Sequence, residues 1–62
     1  MKNFVIRKNL FDRWIVCHPS NPYLAWSGSQ WVGVDFAGLP TDGIEVSNLS
    51  TESKAVEYAK KA

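Results

Sequence analysis

Sixty-two residues with 45% hydrophobic and 21% charged composition describe one small globular domain, close to the lower size at which a core holds without staples. A formal net charge of +1 selects neither a polyanion nor an acidic surface as partner. A single cysteine, Cys17, excludes an internal disulfide and any cysteine-cluster zinc site.

Phe4 to Lys8 alternates, with Phe4 and Ile6 on one side and Val5 and Arg7 on the other, which predicts a strand. Asn9 to Asp12 supplies a turn, and Arg13 to His18 returns as its hairpin partner. Trp14 and Val16 face one way there, Ile15 and Cys17 the other, so both faces of this strand are apolar. A strand of that kind is expected to be a central strand or one with a covered second face, and the rest of the chain is organised around it. Pro19-Ser20-Asn21-Pro22 is expected to end it, because two prolines remove ladder donors. Tyr23 to Trp26 predicts a short extended segment, and Ser27-Gly28-Ser29 a turn.

Gln30 to Phe36 alternates again. Val32, Val34 and Phe36 form an expected core face that meets a helix, while Trp31 turns away from them. Ala37 to Asp42 reads as a loop, Asp42-Gly43 as a turn, and Ile44 to Ser47 as a short strand with one wet face. The C-terminal segment is a helix. Ser50 or Thr51 caps it, Leu49 staples its entry, and Ala55, Val56, Ala59 and Ala62 form one apolar stripe with Tyr58 at the margin. Glu57 and Lys61 are a favourable i,i+4 pair, and Lys60 and Lys61 complement the helix dipole. The expected fold is α+β: a three- or four-stranded antiparallel sheet with one C-terminal helix packed on one face, in a single domain spanning 1–62.

No catalytic, metal or nucleotide motif is complete. Cys17 and His18 adjoin, but neighbours on a strand point to opposite faces and cannot share a proton. The glycines at 28, 33, 38 and 43 are scattered and form no phosphate-cradling loop. No enzymatic activity, cofactor or metal is expected. The aromatic residues are the remaining signal. Trp14, Trp26 and Trp31 exceed what so small a core absorbs beside Phe4, Phe11, Phe36 and Tyr58. Trp31, Trp26, Trp14 and Tyr23, with Arg13 and Arg7, are therefore the candidate partner-binding residues, since Trp, Tyr and Arg dominate interface hot spots. The competing placement for Trp31 is under a loop formed by residues 19–29.

The segments Asn21-Pro22-Tyr23-Leu24-Ala25-Trp26-Ser27 and Leu49 to Ala59 are similar to parts of the accessory iron–sulfur-protein subunit family of respiratory complex I. The second segment also resembles the helix of many small bacterial ββα-type domains. Neither resemblance brings a functional residue to this chain.

Charge is segregated along the sequence. Cations dominate up to residue 31, residues 32–52 hold Asp35, Asp42, Glu45 and Glu52 without any cation, and the C-terminus turns basic again. With no apolar run long enough to span a membrane and no secretory leader pattern, the expected location is the cytoplasm. The function expected is a non-enzymatic protein-binding module acting as an inhibitor or adaptor, in the manner of phage or mobile-element proteins that block host defence complexes. The alternative is a small single-stranded nucleic-acid binder that stacks bases on an open sheet face.

Overall fold

The computed structural model describes residues 1–62 and has four antiparallel strands in the order β1-β2-β3-β4: β1 Val5–Lys8, β2 Trp14–His18, β3 Asn21–Trp26 and β4 Trp31–Gly33. One helix follows, α1 Glu52–Lys61. This is the α+β architecture expected from the pattern of alternating and helical segments.

The β1–β2 turn is built by Asn9. Its Oδ1 accepts from the Phe11 and Arg13 amides at 2.8 and 3.0 Å, and its backbone amide donates to the Arg13 carbonyl at 2.8 Å. Asp12 takes the left-handed conformation (φ 61°) that closes the turn, which a short polar side chain tolerates. The register then sets the faces. Val5 pairs with Cys17 and Arg7 with Ile15, Cys17 pairs with Ala25, and Ala25 with Val32. Directly opposed residues share a face, so these residues line one side. Ile6, Lys8, Trp14, Val16, Trp26 and Trp31 line the other.

The β2–β3 connection is tighter than the sequence suggests. Pro19 and Ser20 alone make the turn, since His18 pairs with Asn21, and Asn21-Pro22 opens β3 rather than ending β2. The two prolines are accommodated by a bulge. Between the Cys17–Ala25 and His18–Asn21 pairs, Pro22, Tyr23 and Leu24 have no counterpart on β2, so the missing Pro22 amide breaks no ladder bond. The idea that residues 19–29 fold as a covering loop over Trp31 is thereby overturned, because most of that stretch is a sheet strand.

β2 is covered on both faces: Ile15, Val16 and Cys17 are all fully buried. α1 packs on β2 and β1 and covers the Val16 side with Ala55 and Ala59, both also fully buried. Its N-cap is Thr51, whose side chain accepts from the Lys54 amide at 3.1 Å. Ala62, expected in the stripe, is exposed. The Ile15 and Cys17 side meets a different cover. Ile15, Cys17, Ala25, Val32, Val34 and Val46 form one cluster, closed by the irregular segment 35–46. Gly38 makes that approach possible. Its φ is +79°, and a Cβ there would stand 2.9 Å from Asn9 Cβ and 3.1 Å from Ile15 Cδ1.

Two expectations fail at this cover. Val32 and Val34 are core residues, but they meet the 35–46 segment and not the helix, and Phe36 is not core at all, being 85% exposed. The alternation stops because Asp35 opens a turn: its Oδ1 accepts from the Ala37 and Leu39 amides, and its carbonyl from the Gly38 amide. Residues Ile44 to Ser47 form no strand either. The chain there has no regular structure, with Val46 inward, until the Ser47 amide donates to the Trp26 carbonyl and Leu49 pairs with Trp14. Trp14 is free to pair with Leu49 because β3 ends at Trp26, before reaching that level.

Ala59 has no room for a polar group. Ala59→Asp is expected to cost about 3 kcal/mol, an uncompensated carboxylate pressed against the sheet. A thermal melt within about 2 °C of the parent would show that this helix face is not packed.

Candidate interaction surfaces

The six candidate residues do not converge on one place. Trp26 and Trp31 do come together. They are registered partners on β3 and β4, with ring centroids 5.2 Å apart at 65°, and His18 joins them edge-on to Trp31 at 5.0 Å and 67°. All three are half-buried. They lie on the same sheet face as α1, which corrects the expectation that Trp31 faces away from the helix, and they are partly exposed because α1 packs mainly on β2 and β1. Tyr58 of α1 makes a hydroxyl contact with Ser47 Oγ at 2.7 Å, and the Ser47 amide donates to the Trp26 carbonyl. His18 Nδ1 accepts from the Ser20 amide at 3.0 Å, which places the neutral imidazole proton on Nε2.

Trp14 shares that face at the far end of β2, where Lys8 Nζ sits 5.6 Å above its ring and is itself paired with Asp12 at 3.2 Å. Its indole therefore belongs to the β1–β2 hairpin. Neither arginine accompanies Trp31. Arg7 is on the opposite face, where its guanidinium donates to three backbone carbonyls: Pro22 at 3.0 Å, Asp35 at 3.0 Å and Phe36 at 2.8 Å. This ties β1 to the β3 bulge and to the 35–46 cover at once. Arg13 is exposed and donates from Nε to Asn48 Oδ1 at 2.9 Å. Tyr23 is half exposed in the bulge, with its carbonyl taken by the Val34 amide. Neither candidate arginine therefore shares a site with Trp31.

A second surface has a stronger apolar character. Leu10 is 69%, Phe11 68% and Phe36 85% exposed. They stand on two loops joined by the Leu10 amide, which donates to the Ala37 carbonyl at 2.9 Å. Both loops belong to the side of the molecule away from α1. Beside them is a cleft of about 240 Å³ between the β1–β2 turn and residues 38–48, walled by Phe11, Leu39 and Pro40. Sequence reading missed this surface because it assigned Phe36 to the core. The signal was present in Asp35 and Gly38, since Asp at the first and Gly at the fourth position mark a turn that throws its second residue outward.

Cys17 is buried and free, and desolvation pushes its thiol pKa above the ordinary value, with the Arg7 charge opposing the shift. A thiol so placed stays protonated at neutral pH and is a poor nucleophile. No group of three or more His, Cys, Asp or Glu side chains stands where a metal ion could be held, and no helix is long and apolar enough to cross a membrane.

No protein-family model matches this chain, and comparisons with curated proteins and with solved structures returned no match.

Three outcomes are expected. Native Cys17 should react with a thiol reagent far more slowly than the denatured chain, and rapid native labelling would contradict its burial. Because its folded pKa lies above the unfolded one, stability is fully present below the unfolded pKa and declines as pH rises past it; Cys17→Ala should remove that part of the alkaline loss. Arg7→Lys is expected to cost about 1–2 kcal/mol, because an ammonium cannot reproduce the planar fork that reaches three carbonyls. An unchanged denaturant midpoint would show that the clamp contributes nothing.

Proposed function

We propose that this chain is a non-enzymatic protein-binding module that acts by occupying a partner's surface, as an inhibitor or adaptor. The observation that carries this reading is the trio Leu10, Phe11 and Phe36, each more than two-thirds exposed on loops that the fold holds in place. Large apolar side chains gathered at one surface mark interaction sites more often than accidents of folding. The loops beneath them are rigidly supported by the Asn9 and Asp35 turns and the Arg7 clamp, so little ordering entropy opposes binding.

A nucleic-acid reading has one observation in its favour, the half-buried Trp26–Trp31–His18 stack on the uncovered part of the sheet. Indoles there offer stacking surface to bases, and the lysines Lys54, Lys60 and Lys61 of α1 lie on the neighbouring element.

The two readings separate in one experiment. Affinity capture from the native host, with and without nuclease, is carried out with the parent, Phe11→Ser/Phe36→Ser and Trp31→Ala. A protein-binding module loses its captured protein in the Phe11→Ser/Phe36→Ser variant, by about 2 kcal/mol or more of affinity, regardless of nuclease and without a lower melting temperature. Loss on nuclease treatment and in Trp31→Ala, with oligonucleotide affinity falling steeply as salt rises, would instead favour the nucleic-acid reading.

A further inference from the structure

The cleft beside Phe11 has a chemistry more specific than apolar exposure. Phe11, Leu39 and Pro40 supply its walls, and Glu45 is the sole ionisable residue among those lining it. Glu45 is exposed and takes part in neither of the two ion pairs of the molecule, which join Lys8 to Asp12 and Lys61 to Glu57. Asn9 and Asn48 complete the polar lining. Their side-chain oxygens are already engaged, Asn9 Oδ1 by the Phe11 and Arg13 amides and Asn48 Oδ1 by Arg13 Nε. What remains free on each is the amide N–H₂, a donor. Arg13 is held at Asn48 and is not part of the lining.

An aromatic wall, one unpaired carboxylate and two amide donors define a complementary group: an aliphatic stem carrying a positive head, on a backbone whose carbonyls can accept. We infer that this cleft receives a lysine or arginine side chain of a protein partner, its methylenes against Phe11 and Leu39, its charge at Glu45, and its flanking carbonyls at Asn9 and Asn48. The contact combines packing of the stem, cation–π attraction to Phe11 and a charge-assisted hydrogen bond. The run of residues 32–52 is acidic, but Arg7 at the Asp35 and Phe36 carbonyls and Arg13 at Asn48 offset its field, so the charge selectivity rests on Glu45 itself. This inference rests on the protein-binding reading above and names the kind of partner surface that reading needs.

The test uses the full chain labelled with ¹⁵N and four amino acids blocked at both ends: arginine, lysine, norleucine and glutamate. Arginine and lysine should give saturable shifts of the Asn9 and Asn48 side-chain amides and of Val46, weakened at high salt. Glu45→Gln, an exposed change that leaves the melt unaltered, should weaken them about threefold or more. Equal binding of norleucine with no effect of Glu45→Gln would overturn the inference in favour of a purely apolar cleft. Preference for glutamate, or absence of any saturable shift, would overturn it outright. If the probes fail to bind while Phe11→Ser/Phe36→Ser still abolishes capture of a partner, the basic-side-chain inference falls and the protein-binding reading stands. If the probes bind as expected but that variant captures as well as the parent, the reading built on the exposed trio falls instead.

Discussion

Three consecutive residues on one strand, Ile15, Val16 and Cys17, are shut away from solvent, and consecutive strand residues point to opposite faces. A sheet of four short strands must therefore be covered twice, in a chain that has only one helix to spare. α1 answers for Val16. The side of Ile15 and Cys17 is closed by a segment without regular structure, residues 35–46, and everything else in the molecule follows from how that segment is kept in place. Each fully buried aliphatic side chain contributes roughly 1.5–3 kcal/mol. The net stability of a small domain is of the same order as a few such terms, so losing either cover would unfold it.

An irregular cover has its own backbone groups to satisfy, and the chain meets this need locally. Asp35 accepts two amides of its own turn, Gly38 brings backbone against Ile15, and Arg7 reaches across from β1 to hold the Asp35 and Phe36 carbonyls. Leu10 and Ala37 join the β1–β2 turn to the same segment. The cover gives Val46 to the core and brings the Gly38 backbone against Ile15, while the Asp35 turn directs Phe36 to solvent. Phe36 is exposed for this reason, and Leu10 and Phe11 are exposed because Asn9 consumes the polar groups of their turn and leaves their side chains at its tip.

The two surfaces thus have different origins. The Trp26–Trp31–His18 stack is what the helix leaves uncovered, and edge-to-face contact among the rings shields part of each. The Leu10, Phe11 and Phe36 surface has no such mutual protection, and a cleft with one unpaired carboxylate adjoins it. Arg7, which composition alone would assign to an interface, is a structural fastener that donates to three backbone carbonyls.

Much of the architecture was legible in the order of residues alone. Period-two alternation marked β1, β2 and the start of β4, and helical spacing with a hydroxyl cap marked α1, because these are local consequences of strand and helix geometry. The doubly apolar β2 marked a central strand or one with a covered second face, and the structure covers both. Which layer covers which face was settled only by tertiary structure. Val32 and Val34 alternate in the same way whether a helix or a loop meets them, and nothing local distinguishes the two. The prolines at 19 and 22 read as a stop until pairing showed that a bulge removes the need for a donor at Pro22. Phe36 read as core because alternation was carried one residue beyond Asp35, where the chain turns. The candidate sites divide along the same line. That Trp26 and Trp31 share a face is fixed by a short hairpin, but the meeting of residues 9–11 with residues 36–48 depends on contacts distant in sequence, and such contacts are formed by the packed chain as a whole.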